Sequence, residues 1–130
     1  MFLAAAVLSA AVLQWWQSFR GSERIRQDRF DPVAWKEADH KKPDADHRTV
    51  RSHMIDDLLR RYKFDGWTRQ QVIDLLGQPT GPGEESGFPQ FDVIYVLGLE
   101  RGGAFALDDE ALGFSFDATD RVEKCGLSVN

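Results

Sequence analysis

The sequence predicts an α+β domain: a helical hairpin packed on an antiparallel β-meander of three or more strands, preceded by an apolar N-terminal segment. Two helix patterns follow one another within residues 50–77, and three strand patterns follow within residues 91–127. A run of helices followed by a run of strands is typical of α+β folds. With 130 residues and 42% hydrophobic side chains, the chain is long enough for one such domain and additional segments. We therefore expect an N-terminal segment (1–19), a polar linker (20–47) and the α+β domain (48–130).

Residues 1–19 form an apolar segment that predicts a membrane anchor or a signal-like sequence. Residues 2–16 would span about 22 Å as a helix, which is less than the roughly 30 Å of the hydrocarbon layer. An export signal, an uncleaved anchor with Trp15 and Trp16 at the membrane interface, and a buried helix are the alternatives. No Lys or Arg precedes the apolar run, so we favour the anchor over the signal. Its orientation stays open, because the arginines that follow it favour a cytoplasmic position for that side.

The polar linker contains one short ordered element, at residues 30–36, where Asp31 can cap a helix that starts with Pro32. Residues 21–31 are charged and predict a linker or a polar helix, and residues 37–47 are polar and predict an exposed loop. It holds the single cluster in the sequence that could ligate a metal ion: His40, Asp44, Asp46 and His47. No pair of histidines has helical spacing there, so we favour a solvated loop and expect neither a metal site nor a cofactor.

Both predicted helices have a clear apolar pattern. In the first, residues 50–62, apolar side chains recur at spacings of three and four residues. In the second, Thr68 is a good N-cap and Gln71 can complete a capping box, while Gly77 and Pro79 end the helix. The short connection at residues 63–67 predicts that the two helices form a hairpin.

Three strands are predicted after a loop at residues 80–90. Residues 91–97 are rich in β-branched and aromatic side chains. Residues 111–116 place Leu112, Phe114 and Phe116 on one face, and residues 121–127 follow a turn at 117–120 and pair as a hairpin. A longer connection, residues 98–110, separates the first two strands and contains Arg101.

Charge and cysteine content narrow the possible functions. Residues 64–130 carry 4 Lys/Arg and 12 Asp/Glu, a balance of −8. Nucleic-acid binding needs clustered positive charge, so we expect no nucleic-acid partner. The single cysteine, Cys125, excludes an internal disulfide and a Cys-based zinc site. A catalytic pair of Cys125 with His53 is less favoured than a small packed strand residue, so no enzyme is expected.

Several motifs resemble a known family, namely Asp57-Leu58-Leu59, Gly66-Trp67-Thr68, Gln71-Val72, Leu75-Leu76-Gly77-Gln78-Pro79, Tyr95-Val96-Leu97-Gly98 and Leu112-Gly113-Phe114-Ser115-Phe116-Asp117. Across residues 48–127 they resemble the SmpA/OmlA-like domain of small outer-membrane assembly lipoproteins, which is similar to the β-lactamase-inhibitor-protein fold. The resemblance implies a bacterial, non-enzymatic domain that acts through protein contacts. Members carry an acylated cysteine directly after the signal sequence, whereas no cysteine lies directly after residues 1–19 here, so we do not expect a lipoprotein.

The expected function is therefore a non-enzymatic protein-interaction domain of an envelope-associated protein, with an unknown protein partner and possible membrane attachment through residues 1–19. Candidate partner contacts are Trp35, Phe88, Tyr95 and Arg101. Arg101 could instead brace its own connection by pairing with an acidic residue at 108–110. The alternative is a small ligand-binding domain or enzyme that uses the His40/His47 loop or Arg101. A deep polar pocket would favour the alternative, and a shallow apolar patch would favour the interaction domain.

Overall fold

A four-stranded antiparallel sheet with helices packed against it forms the domain, which confirms the predicted α+β class. The computed structural model describes residues 28–38, 49–99 and 108–130. The helices are α1 (Pro32–Glu37), α2 (Val50–Arg61) and α3 (Arg69–Leu76). The strands are β1 (Gly81–Pro82), β2 (Val93–Leu99), β3 (Asp109–Phe116) and β4 (Val122–Val129), and they lie in the order β1-β2-β3-β4. Residues 1–27, which include the predicted anchor, lie outside the described residues.

The short element predicted within the linker packs into the core of the domain. It is α1, which begins at Pro32 because the Asp31 carboxylate accepts hydrogen bonds from the amides of Val33 (2.9 Å) and Ala34 (3.4 Å). Its one buried side chain, Trp35, lies edge-on to the Phe30 ring at a centroid distance of 5.9 Å. Since α1 packs against both α2 and α3, it connects the two predicted helices.

Local capping defines the ends of α2 and α3. The Thr68 hydroxyl accepts from the Gln71 amide (3.1 Å) and the Gln71 side chain accepts from the Thr68 amide (2.9 Å), which confirms the predicted capping box. Thr49 and Ser52 form a second capping box at the start of α2, which the sequence analysis missed. At the end of α3, Gly77 has a φ of +79°, but its ψ of −172° lies outside the left-handed helical region.

The sheet is more extensive than predicted. A two-residue strand, β1, and a 3₁₀ turn (Glu84–Ser86) lie in the segment predicted as a loop, because β1 pairs with Val93 and Ile94 of β2. Strands β2 and β3 also extend into the predicted 98–110 connection, with an irregularity between Val96 and Gly98. The 117–120 turn and the β3–β4 hairpin are confirmed.

Each face of the sheet carries its own apolar cluster. The larger cluster joins the helices to the face that includes Tyr95, Leu112 and Phe114. The smaller cluster lies on the opposite face, where Phe88 and Phe91 from the segment before β2 cover Ile94 and Ala111. The sequence analysis did not predict this second layer, since it assigned residues 80–90 to a loop.

Candidate functional site

The three aromatic residues predicted to contact a partner are core residues. Trp35, Phe88 and Tyr95 are each at most 1% exposed. Trp35 and Tyr95 belong to the cluster between helices and sheet, and Phe88 belongs to the cluster on the opposite face. Their burial corrects the prediction, because a side chain without exposed surface cannot contact a partner of the folded domain. The fourth candidate, Arg101, lies outside the described residues.

Trp35 and Tyr95 instead surround a buried arginine, Arg51. The Arg51 guanidinium carbon lies 5.0 Å from the centroid of the Trp35 ring and 6.0 Å from that of the Tyr95 ring. Its Nε donates to the Trp35 carbonyl oxygen at 3.0 Å. Burial lowers the pKa of Arg51, yet arginine stays protonated in proteins. The cation therefore stabilises the contact between α1, α2 and the sheet through cation–π contacts.

The Tyr95 hydroxyl is also used structurally. It donates to the Gly77 carbonyl oxygen at 2.8 Å and so holds the end of α3 against β2. Burial raises the pKa of Tyr95 to about 12, with a smaller opposing effect of the Arg51 charge. The hydroxyl therefore remains protonated near neutral pH, where it can keep donating this hydrogen bond.

A charged depression of about 430 Å³ lies beside α2, where three carboxylates and three guanidinium groups face it: Asp28, Arg29, Asp56, Asp57, Arg60 and Arg61. Asp57 is its centre. One of its oxygens accepts from the Phe30 amide (2.7 Å) and from Arg61 Nε (2.7 Å), and the other accepts from Arg60. The carboxylate therefore joins α2 to the chain segment that precedes α1, which is a structural use of its charge.

Asp57 should make the stability of the domain depend on pH in the acid range. The Phe30 amide, and after it the two arginines, lower the pKa of Asp57 to about 2, against the opposing effect of burial. In the unfolded chain the pKa is about 3.9. The unfolded state therefore binds this proton more readily, so the stabilisation is present above about pH 4 and is lost as the pH falls towards 2.

We expect Asp57→Asn to lower the unfolding free energy by about 1–3 kcal/mol at neutral pH and to reduce its decline between pH 5 and pH 2. Asparagine keeps the shape and one acceptor but has no titratable charge. Urea denaturation at a series of pH values measures both effects. An unchanged slope in the variant would contradict the structural assignment of Asp57.

Cys125 lacks the lowered pKa that activates a catalytic thiol. Burial first, and then the Asp65 charge, raise the pKa of the Cys125 thiol to about 12. The thiolate is the nucleophilic form, and at neutral pH this thiol is protonated. His53 is buried in α2, and its carbonyl oxygen accepts from the Asp28 amide at 2.6 Å. Both residues therefore belong to the packing of the domain.

His40, Asp44, Asp46 and His47 lie outside the described residues, as does Arg101. Within residues 28–38, 49–99 and 108–130, no three His, Cys, Asp or Glu side chains are grouped so that they could hold a metal ion. Of the acidic residues proposed as partners of Arg101, Glu110 is buried in β3 and Asp108 and Asp109 are exposed.

A shallow apolar depression of about 350 Å³ lies on the outer side of α3, lined by Trp67, Gln71, Asp74 and Leu75. We call these four residues the Trp67–Leu75 patch. One side of the Trp67 ring packs against Phe64, at a centroid distance of 4.8 Å, and Trp67 and Leu75 are both half-buried. Asp74 is exposed and accepts one hydrogen bond from a neighbour on the same helix, Gln70, at 2.8 Å.

The sequence analysis did not predict this patch. A signal was nevertheless present, because α3 has apolar residues at 72, 73, 75 and 76, an arc wider than a single covered stripe. The structure buries Val72 and Leu76 completely and leaves Ile73 and Leu75 half-buried. The residues that widen the apolar arc, Ile73 and Leu75, therefore remain partly exposed at the surface of the domain.

None of the helices in the described part of the chain has both the length and the apolar composition needed to cross a membrane. The chain was also compared with known proteins. No family model, curated protein or solved structure matches it.

Proposed function

We propose that this chain is a protein-interaction domain of an envelope-associated protein, that it is not an enzyme, and that it binds its partner at the Trp67–Leu75 patch. The observation that supports this proposal is the apolar depression at the surface of α3, which is lined by the half-buried side chains of Trp67 and Leu75. The apolar residues at 1–19 support attachment to a membrane.

The shape of the patch favours a protein over a small molecule. Small-molecule sites are concave and enclose most of the ligand surface, whereas this depression is shallow. Partly exposed tryptophan is enriched among the residues that contribute most to protein–protein binding. Trp67 is held from behind by the Phe64 and Tyr62 rings, at centroid distances of 4.8 and 5.8 Å, so it would lose little side-chain freedom on binding.

Charge indicates the chemistry of the partner. Asp74 lies at the rim of the patch, within the half of the sequence that carries a balance of −8. Complementary charge increases the rate of association and excludes partners of like charge. The expected partner is a protein segment that places an apolar side chain against Trp67 and Leu75 and a Lys or Arg beside Asp74.

The charged depression beside α2 is the other candidate for a binding surface, and its hydrogen bonds make it the less suitable one. It resembles a polar ligand site in volume and composition, but its central carboxylate already has bonds from Phe30, Arg60 and Arg61. Binding a ligand at Asp57 would require breaking the connection between α2 and the segment before α1. The depression is therefore a less suitable binding surface than the patch.

The proposal can be tested by reversing the charge of Asp74. The tagged full-length chain is recovered from the membrane fraction of its source cells, where residues 1–19 should retain it, and bound proteins are crosslinked and identified. Asp74→Lys is compared with Glu85→Lys, a matched control, because both replace an exposed carboxylate with an ammonium group. Glu85 lies in the 3₁₀ turn and does not line the patch.

We expect one protein to be crosslinked to the wild type and to Glu85→Lys and to be lost from Asp74→Lys, and its binding should weaken as salt is added. Asp74→Lys should keep the wild-type melting temperature, since a cation near the end of a helix is favourable. A partner retained by Asp74→Lys, or the absence of any protein that separates the two variants, would refute the proposed surface.

A further inference from the structure

Part of the outer edge of β4 has backbone groups without partners in the described structure. In an antiparallel pair, every second residue exchanges hydrogen bonds with the neighbouring strand, and the residues between them direct their N–H and C=O groups away from it. The Asn130 amide donates to the Asp109 carbonyl oxygen at 3.3 Å, so Asn130 is one of the residues that bond towards β3. Every second residue before it does the same, and the residues between them point away from β3. Cys125, Leu127 and Val129 therefore direct their backbone groups away from β3, at the outer edge of the sheet.

Other parts of the sheet boundary have partners in the described structure. At the start of β4, the Val122 amide donates to Trp67 (2.7 Å) and its carbonyl oxygen accepts from Gly66 (2.9 Å). At the opposite edge of the sheet, β1 pairs with the start of β2, and the Thr49 hydroxyl donates to the Leu97 carbonyl oxygen. The segment 125–129, which we call the free edge, is therefore the part of β4 that is open to another strand.

Within its own residues, 125–129, the free edge lacks the features that usually prevent strand association. Proteins protect edge strands with charges, prolines, bulges or covering loops. The irregularity in the β3–β4 pairing and Lys124 both lie before residue 125, and the segment 125–129 contains neither a charged residue nor a proline. Leu127 and Val129 are 37% and 39% exposed, and they are two of the four large hydrophobic side chains exposed in the described part of the chain.

We propose that two copies of this chain associate through the free edge, with the twofold axis at Leu127. The three residues with outward backbone groups are spaced symmetrically about Leu127. In antiparallel pairing, Leu127 therefore lies opposite Leu127 of the second copy, and Cys125 lies opposite the second Val129. Each of these residues donates one backbone hydrogen bond and accepts one. The two four-stranded sheets become one continuous sheet, and the exposed leucine and valine side chains are covered.

Charge and side-chain size fit this pairing. On the other face of the strand, Gly126 lies opposite Ser128 of the second copy, so the small serine side chain meets no second side chain there. Lys124, the one charged residue at positions 124–130, lies opposite Asn130 and faces no like charge. Two copies of the chain repel each other as a whole, since each carries a formal net charge of −5. Added salt should screen this repulsion and strengthen the association.

Single cysteines can test the register in the full-length chain. In a Cys125→Ala background, Leu127→Cys places two thiols on residues whose Cα atoms are about 5.5 Å apart, within the range of about 4.4–6.8 Å that a disulfide bridges. Val129→Cys in the same background is the matched control, because the symmetric pairing separates its two copies by about 14 Å. Val33→Cys, at a position 61% exposed on α1, measures random collision.

We expect mild oxidation to give a covalent dimer from Leu127→Cys and no dimer above the collision level from Val129→Cys. Restoring Cys125 beside Val129→Cys should bring the dimer back, since these two positions lie opposite each other. No dimer from Leu127→Cys, equal yields from Leu127→Cys and Val33→Cys, or a disulfide to a different protein would each refute the inference.

The same experiment separates this surface from the Trp67–Leu75 patch. Asp74→Lys, added to the Leu127→Cys variant, should leave the yield of covalent dimer unchanged, and salt should raise that yield. The binding proposed at the patch should be lost with Asp74→Lys and weakened by salt. Either surface can therefore fail its test while the other passes.

Discussion

Replacing Trp35 with alanine should lower the unfolding free energy by about 3–5 kcal/mol, the usual cost of truncating a large buried aromatic side chain. Trp35 is fully buried, and it contacts the Phe30 ring, the Tyr95 ring (6.4 Å between centroids) and the Arg51 guanidinium. Its removal would leave a cavity and a buried cation without its nearest ring. Chemical denaturation monitored by circular dichroism measures the loss.

Val33→Ala is the matched control, because Val33 belongs to the same helix and is 61% exposed. Substitutions at such surface positions usually change stability by no more than about 0.5 kcal/mol. If Trp35→Ala were as stable as Val33→Ala, α1 would not be part of the core, and the residues before α2 would act as a linker only.

Introducing a methyl group at Gly113 should lower the unfolding free energy by about 1–3 kcal/mol, the usual cost of overpacking a filled site. A Cβ atom at Gly113 would lie 2.1 Å from two carbon atoms of the Phe91 ring, which therefore occupies the space beside this glycine. The ring would have to move out of the cluster that it forms with Phe88, Ile94 and Ala111. Gly113→Ala therefore tests whether the segment before β2 is a real second layer.

Gly126 provides an unusually close control. It lies directly opposite Gly113 on β4, and a Cβ atom there would meet nothing within 4 Å. Gly126→Ala should therefore be neutral or stabilise the domain by about 0.4–1 kcal/mol, because it restricts the unfolded chain. In a double-mutant cycle, Phe91→Ala should remove most of the penalty of Gly113→Ala. Equal effects of the two glycine substitutions would place Phe91 elsewhere.

The sequence alone predicts those features of this protein that depend on residues close together in the chain. The capping box of Thr68 and Gln71 involves residues three positions apart, so its geometry follows from local backbone conformation. The turn between β3 and β4 is local in the same way, and the order of helices before strands limits the class to α+β. The charge balance also requires no tertiary structure.

Burial, in contrast, is decided by contacts between distant residues. The sequence identifies Trp35 and Tyr95 as large aromatic side chains but does not specify what covers them, and their rings meet across 60 positions of the chain, 6.4 Å apart. The segment 80–90 appears polar and turn-rich, yet Phe88 becomes buried because the sheet offers an uncovered face at Ile94 and Ala111. Aromatic content alone could not separate a partner contact from a core residue.

The two proposed surfaces, the Trp67–Leu75 patch and the free edge of β4, both consist of groups that the packing of the domain leaves exposed. The apolar width of α3 can be read from the sequence, but only the position of the helix on the domain decides that Val72 and Leu76 are buried while Leu75 lines a surface patch. The β-strand character of residues 122–129 is likewise local, whereas its place at the edge follows from the strand order. A chain determines which groups can pair, and the assembled fold decides which of them are left without a partner.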